Sequence, residues 1–451
     1  MKRDAIDLGK THIPSLFRIY FVPTLLGMLS TCIVTAIDGI FVGHGVGSDG
    51  VAAVNIAYSP MMLLIGIGLM LGIGCSVVSS IHLSRGAVRT AHFNLTQALV
   101  AATILVLIFW AFVYSAPVSF AKALGASPTL MPLVLDYLLW LTPGILFCVW
   151  SIIGLFIIRL DGAPQLAMWL NIIPCSLNAV LDYVFIFPLG MGLKGAAIAT
   201  SISMAIGGIL VMVYLGWFAK TLRLIKLKFS RKSMRLALRN IGYQSRIGVS
   251  ALLGEASMAV IMFVGNQIFM RYLGDDGVAA FGVACYYCPF IFMIGNAIAQ
   301  SAQPIISFNF GKGSLDRVRN TERLAIITAG ICGVIVTSMF VFMPRLLVAL
   351  FIDPHTEAAR MAIAGLPIFS TAVIFYIFNL TAIGYFQSVE RVRPSIIFAL
   401  LRGFVIIVPS FCLMPLILGT TGIWLALGVS ELLTAVCIIA FYIYHHSSAR
   451  A

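Results

Sequence analysis

Apolar runs of about twenty residues recur from one end of this chain to the other, separated by short polar connections. Each run is long enough to cross roughly 30 Å of hydrocarbon at 1.5 Å per residue, so the pattern predicts membrane-spanning helices. Twelve are expected, over 14–42, 52–81, 91–115, 130–158, 165–188, 193–218, 242–272, 278–308, 320–344, 358–386, 394–417 and 421–444. The longest connection, "KTLRLIKLKFSRKSMRLALRN" between spans six and seven, is basic and is expected to form an amphipathic helix on the membrane surface. No soluble domain fits, and the fold class is an all-α integral membrane protein.

The pattern repeats. "GSDGVAA" at 47–53 returns as "GDDGVAA" at 274–280, a shift of 227 residues; at the same shift Leu25-Leu26-Gly27 meets Leu252-Leu253-Gly254, Gly86 meets Gly313, Gly195 meets Gly422 and Ala199 meets Ala426. Six spans is an even number, so both halves enter the membrane in the same orientation and form parallel repeats. The expected organisation is an N-lobe over 1–218, a cytoplasmic basic linker over 219–241 and a C-lobe over 242–451. Two six-helix lobes leave a central cleft, which rocking lobes would open to one side and then the other. A receptor or a structural anchor gains nothing obvious from such duplication.

Composition agrees with the pattern: 61% of residues are hydrophobic and 10% charged, against roughly 45–50% and 25% in soluble proteins. The net charge of +13 raises the question of nucleic acid until the basic residues are placed on the topology. With the N-terminus inside, about 24 Lys and Arg fall on inner segments and about 5 on outer loops. That bias puts both termini in the cytoplasm and removes nucleic acid as a needed partner; the expected location is a bacterial inner (plasma) membrane. The opening "MKRDAIDLGKTHIP" lacks a small-residue cleavage site downstream, so the first span is read as retained. Cys285 and Cys288 form the one tight cysteine pair, read as small residues of a buried helix because no second ligand pair exists. Beyond the adjacent pair His445 and His446, the seven histidines show no ligand spacing.

Charge inside a membrane is costly, so the acids within spans invite a functional reading. They are Asp38, Asp136, Asp182, Glu255 and Glu431, with Arg402 as the internal cation. Depth separates them. Asp38, Asp182, Thr200 and Tyr137 all fall ~7–12 Å below the outer surface, on four different spans of the first half. Pro174, Asn178 and Asp182 are spaced by four and share one face of span five, and the proline leaves a backbone carbonyl free. Two carboxylates, a carboxamide, a hydroxyl and a phenol form an oxygen-rich set that suits a proton or a hard cation such as Na⁺, with Asp38, Asn178, Asp182 and Thr200 as the metal-ligating candidates. The alternative is that Asp38 caps a frayed helix end and Asp182 faces outside water.

Pro23, about four turns before Asp38, permits a hinge in span one. In the second half Glu255 either pairs with Arg402 or is a second protonation site. Asn296, Gln300 and Gln303 form a polar stripe on span eight that lines the cleft or bonds between helices. The glycine run "IGIGLMLGIG" is expected to allow close helix packing. Asp136 and Glu431 receive no role.

These residues carry a resemblance. "IDGIFVGHGVGSDGVAAV", "LNAVLDYVFIF", "GLKGAAIATSIS", "QPIISFNFGKG" and the six-plus-six arrangement resemble the multidrug and toxic compound extrusion (MATE) family over essentially the full length, most of all its DinF-like branch. The resemblance implies a secondary active exporter that exchanges amphipathic, cationic organic compounds for H⁺ or Na⁺ by alternating access. It implies no enzyme activity, no cofactor beyond the coupling ion, small-molecule substrates and membrane lipid as partners, and a monomer. It places the ion pocket at Asp38, Tyr137, Asn178, Asp182 and Thr200, with Pro23 in a bending first helix. Glu255 is similar to the span-seven acid of the NorM-like branch, whereas "FNLTAIGYFQ" in span ten departs from that branch by having no acid. A lipid-linked oligosaccharide flippase of the same architecture is the alternative, and it would need more internal cations than this chain has. An intramembrane enzyme lacks its catalytic set, and a passive channel does not explain the duplicated halves.

Overall fold

A computed structural model describes residues 7–227 and 230–448, apart from the side chains of Ser48, Lys232 and 445–448. The first six residues of the opening segment and the side chains of His445 and His446 therefore lie outside the described residues. The described chain is helical, with no strand among the described residues. Among the described residues nine helices are long and apolar enough to cross a membrane, and a bent pair makes a tenth. Two of the nine, Arg231–Lys312 and the stretch ending in Ile407–Ser448, are interrupted by non-helical backbone at Gly274 and Gly419. Counting each of these as two spans recovers the twelve expected from the sequence.

Span one is Ile13–Gly45, span two Ser48–Ser84, span three Val88–Ser115, span four Met131–Leu160, span five Pro164–Ile186 and span six Gly192–Val213, prolonged by a π-turn at Tyr214–Phe218. Spans seven and eight are 231–273 and 275–312, and span nine is Leu315–Phe342. Span ten is the bent pair Glu357–Phe369 and Thr371–Ser388, whose 48° bend follows Pro367. Span eleven begins at Val392–Leu400, passes through a π-turn at Leu401–Val405 and reaches 418, and span twelve runs over 420–448.

The repeat is visible in backbone conformation. Gly47, Gly86 and Gly192 have φ of 92°, 77° and 57°, and their equivalents 227 residues on, Gly274, Gly313 and Gly419, have 67°, 80° and 58°. A side chain would strain each of these turns, so the register seen in sequence is the register of the turns themselves. The short helices Pro117–Ala123 and Pro344–Ala349 obey the same register.

By contact the chain forms two compact units, Met1–Leu252 with Ser307–Ser314, and Leu253–Ile306 with Leu315–Ala451. The first unit thus extends beyond the linker into span seven. The glycine run of span two accounts for this close packing with two faces. Gly66, Met70 and Gly74 meet Leu252, Gly248 and Gln244 in antiparallel register, and a Cβ on Gly248 would lie 1.8 Å from the Met70 carbonyl. Gly68 and Gly72 instead face Ile152, Ile153 and Phe156 of span four. Only glycine admits backbone at this distance.

The linker differs from the single surface helix expected. Residues 219–227 are non-helical, and helix resumes only at Arg231, continuous with span seven. The cause is one side chain. The Asp161 carboxylate accepts from Tyr214 Oη (2.7 Å) and from the backbone N–H groups of Lys220 (3.0 Å), Thr221 (2.6 Å) and Leu222 (3.3 Å). Donors committed to a carboxylate are lost to a helical ladder.

Candidate ion-coupling site

Spans one and five run side by side in a constant register of 144 residues. Asn171 Nδ2 donates to the Gly27 carbonyl (3.0 Å) and to Thr31 Oγ1 (3.2 Å), and the Thr31 hydroxyl lies 3.7 Å from Cys175 Sγ. Eleven residues, three helical turns, separate Gly27 from Asp38 and Asn171 from Asp182, so the register that pairs the first two brings the two acids together.

That register brings Asp38 and Asp182 near enough for their side chains to influence each other electrostatically. Asp182 is fully buried, and neither of its carboxylate oxygens has a protein hydrogen-bond donor; Asp38 Oδ1 is likewise buried and undonated. Two carboxylates in one water-poor space repel unless a proton or cation lies between them. Tyr137 is buried beside them, within electrostatic range of both acids and of Tyr58 on span two.

The remaining members come from spans five and six. Asn178 Nδ2 donates to Thr200 Oγ1 (3.3 Å), and the neighbouring Ser201 donates to the Trp140 carbonyl (2.5 Å), which fixes span six against span four. Asn178 and Thr200 are half-buried. The structure therefore brings Asp38, Asp182 and Tyr137 into one interacting group, and joins Asn178 to Thr200 beside Asp182 on span five. Pro23 is buried in span one, which runs as one helix from Ile13 to Gly45 without a break. Asp136 is exposed and stands apart.

The second unit resolves its alternatives differently. Arg402 does not pair with Glu255. Its Nε lies 2.9 and 3.1 Å from the two oxygens of Glu431, both residues are buried, and its guanidinium sits 3.9 Å over the Tyr376 ring. Asn379 Nδ2 completes the set with bonds to Glu431 Oε2 (2.7 Å) and its carbonyl (2.8 Å). Sequence reading left Glu431 without a role, yet one signal was present: Glu431 and Arg402 are opposite charges inside adjacent spans, where neither is tolerated alone. Glu255 is half-buried and forms no ion pair among the described residues; Asn296 is half-buried, and Gln300 and Gln303 are buried. Cys288 Sγ donates to the Ala284 carbonyl of its own helix, and no cluster of three or more metal-ligating His, Cys, Asp or Glu occurs among the described residues.

Comparison with known proteins extends this geometry. The chain is 24% identical to the multidrug export protein MepA of Staphylococcus aureus (strain MSSA476) over 424 residues, 92% of this chain and 90% of that protein. It is also 24% identical to MepA of Staphylococcus haemolyticus, covering 94% and 92% of the two chains. An outward-facing multidrug resistance MATE family transporter of the MOP superfamily superposes with a TM-score of 0.91 at 22% identity, over 100% of this chain and 99% of that one. The MatE family model matches twice, at residues 23–184 and 251–412, one residue from the 227-residue register. With both halves matched, the chain belongs to the MatE family of multidrug and toxic compound extrusion transporters.

Proposed function

We propose that this transporter is a cation-coupled antiporter of the DinF-like kind, exporting amphipathic cationic organic compounds in exchange for H⁺ or Na⁺ entering from outside. The observation that carries this reading is the Asp38–Asp182 pair, buried without a protein donor on Asp182. An acid pair left bare by its own protein needs an exchangeable cation, and a site that loses it in one orientation couples the ion gradient to transport. One inward charge is worth about 2.3 kcal/mol per 100 mV, enough for a tens-fold gradient of exported compound.

In this reading Asp38 and Asp182 take the ion, Asn178 and Thr200 complete its shell, and Tyr137 contacts ion or substrate. Pro23 lets span one bend as the ion leaves. Glu255 and Asn296 supply substrate contacts in the second half, with Gln300 and Gln303 as hydrogen-bonding struts behind them. The flippase alternative needs free cations for a pyrophosphate, and the internal ones are committed: Arg402 to Glu431, and Arg159 stacked on Phe156 at 5.4 Å. The test is efflux of a fluorescent organic cation from vesicles, driven separately by a pH jump and a sodium jump. Efflux driven by one of them identifies the ion, and efflux indifferent to both overturns the coupling.

A further inference from the structure

Residues 231–240 open span seven with the sequence "RKSMRLALRN", which contains no acid. One face of this helix rests on span three, where Asn240 Nδ2 donates to Asn94 Oδ1 (2.7 Å) and Gln97 Oε1 (2.5 Å). At about 100° per residue, Arg231 lies on the opposite face, Arg235 and Arg239 follow at about 40° and 80°, and Met234 and Leu238 flank the arginines. All five side chains are exposed, Met234 at 50% and Leu238 at 65%, and the three arginines form no ion pair among the described residues.

The segment before it is strapped down. Besides the four bonds to Asp161, His92 Nε2 donates to the Thr221 carbonyl (2.8 Å) and the Ile225 N–H to Thr96 Oγ1 (3.2 Å), while Ala219 and Leu222 are buried. Trp217 and Phe218, immediately ahead of the strap, are 75% and 68% exposed. Aromatic residues at a span end mark the depth of the membrane interface. The strap therefore begins at headgroup level and the arginine face follows twelve residues later.

We propose that the face formed by Arg231, Arg235, Arg239, Met234 and Leu238 is a seat for anionic phospholipid headgroups of the cytoplasmic leaflet. Water alone satisfies the guanidinium groups and leaves the methionine and leucine uncovered. An anionic leaflet satisfies both, with phosphate oxygens forked onto arginine and acyl chain over the apolar pair. Asp161 acts as the positioning residue, holding the linker so that the helix starts at this depth. Each arginine near such a surface is worth about a fivefold change in lipid affinity.

The test measures lipid association of the full-length protein in phosphatidylcholine vesicles with spin-labelled phosphatidylglycerol or phosphatidylcholine as the probe. Wild type is expected to prefer phosphatidylglycerol by about tenfold or more at low salt, falling as ionic strength rises. R231Q/R235Q/R239Q should remove most of that preference, R231K/R235K/R239K should retain it in part, and Asp161→Asn should weaken it. An unchanged preference in the glutamine triple variant overturns the proposal and leaves the arginines as determinants of membrane orientation only. Should the triple variant fail to insert, the single substitutions R231Q, R235Q and R239Q carry the same test, each with an expected loss of about fivefold.

Discussion

The two halves of the chain share the same six-span plan and treat buried acid in opposite ways. In the first, Asp38 and Asp182 form no ion pair among the described residues, and neither Asp182 oxygen accepts a hydrogen bond from them. In the second, Glu431 is held by Arg402, Asn379 and the ring of Tyr376. The contrast extends to the backbone. Pro174 of span five and the π-turn that starts at Leu401 in span eleven occupy the same place in the 227-residue register: there the first copy has an unbroken α-helix with a proline and the second a π-turn that includes Arg402. In the proposed reading, a duplicated bundle keeps an exchangeable ion site in one copy and holds a buried acid with its own cation in the other.

The comparison is most exposed at the bare acids. Asp38→Asn and Asp182→Asn should each reduce ion-driven efflux to background while the protein still inserts and elutes as a folded species. Efflux at the wild-type rate from either variant would remove that acid from coupling. Next is Arg402→Leu, which leaves Glu431 buried alone and should cost about 3–5 kcal/mol of stability. The double variant R402L/E431L should recover most of it and retain coupled efflux, as thermal unfolding in detergent and the vesicle assay would report. Loss of ion dependence in the folded double variant would mean that the pair takes part in coupling.

Smaller effects sharpen the contrast. Tyr376→Leu removes the ring under the guanidinium and should lower stability by about 1–2 kcal/mol with coupling unchanged. Thr200→Val removes one oxygen of the Asn178–Thr200 pair and should weaken apparent sodium affinity severalfold if the coupled ion is Na⁺. With a proton as the coupled ion, the same substitution should leave the sodium response flat.

Span seven shows where sequence stops being sufficient. Its apolar stretch was legible, but the backbone contact between Gly248 and Met70 joins residues far apart in the chain, and periodicity says nothing of which helices meet. The linker was legible as basic, yet its first half is non-helical because Asp161, in another loop, captures its amide groups. Asp38 and Asp182 could be assigned a shared depth from their span positions, because rise per residue converts sequence into depth. Tyr58 gave no such sign, having neither charge nor special spacing.

From the sequence alone came the twelve spans, their bias in charge and the 227-residue duplication, since hydrophobic length and glycine turns are local properties that the bilayer and the backbone read directly. Tertiary structure decided which acids stay bare and which are neutralised. That choice depends on helix rotation and on partners brought close only by packing, such as Arg402 and Glu431, 29 residues apart and joined by a bond between adjacent spans.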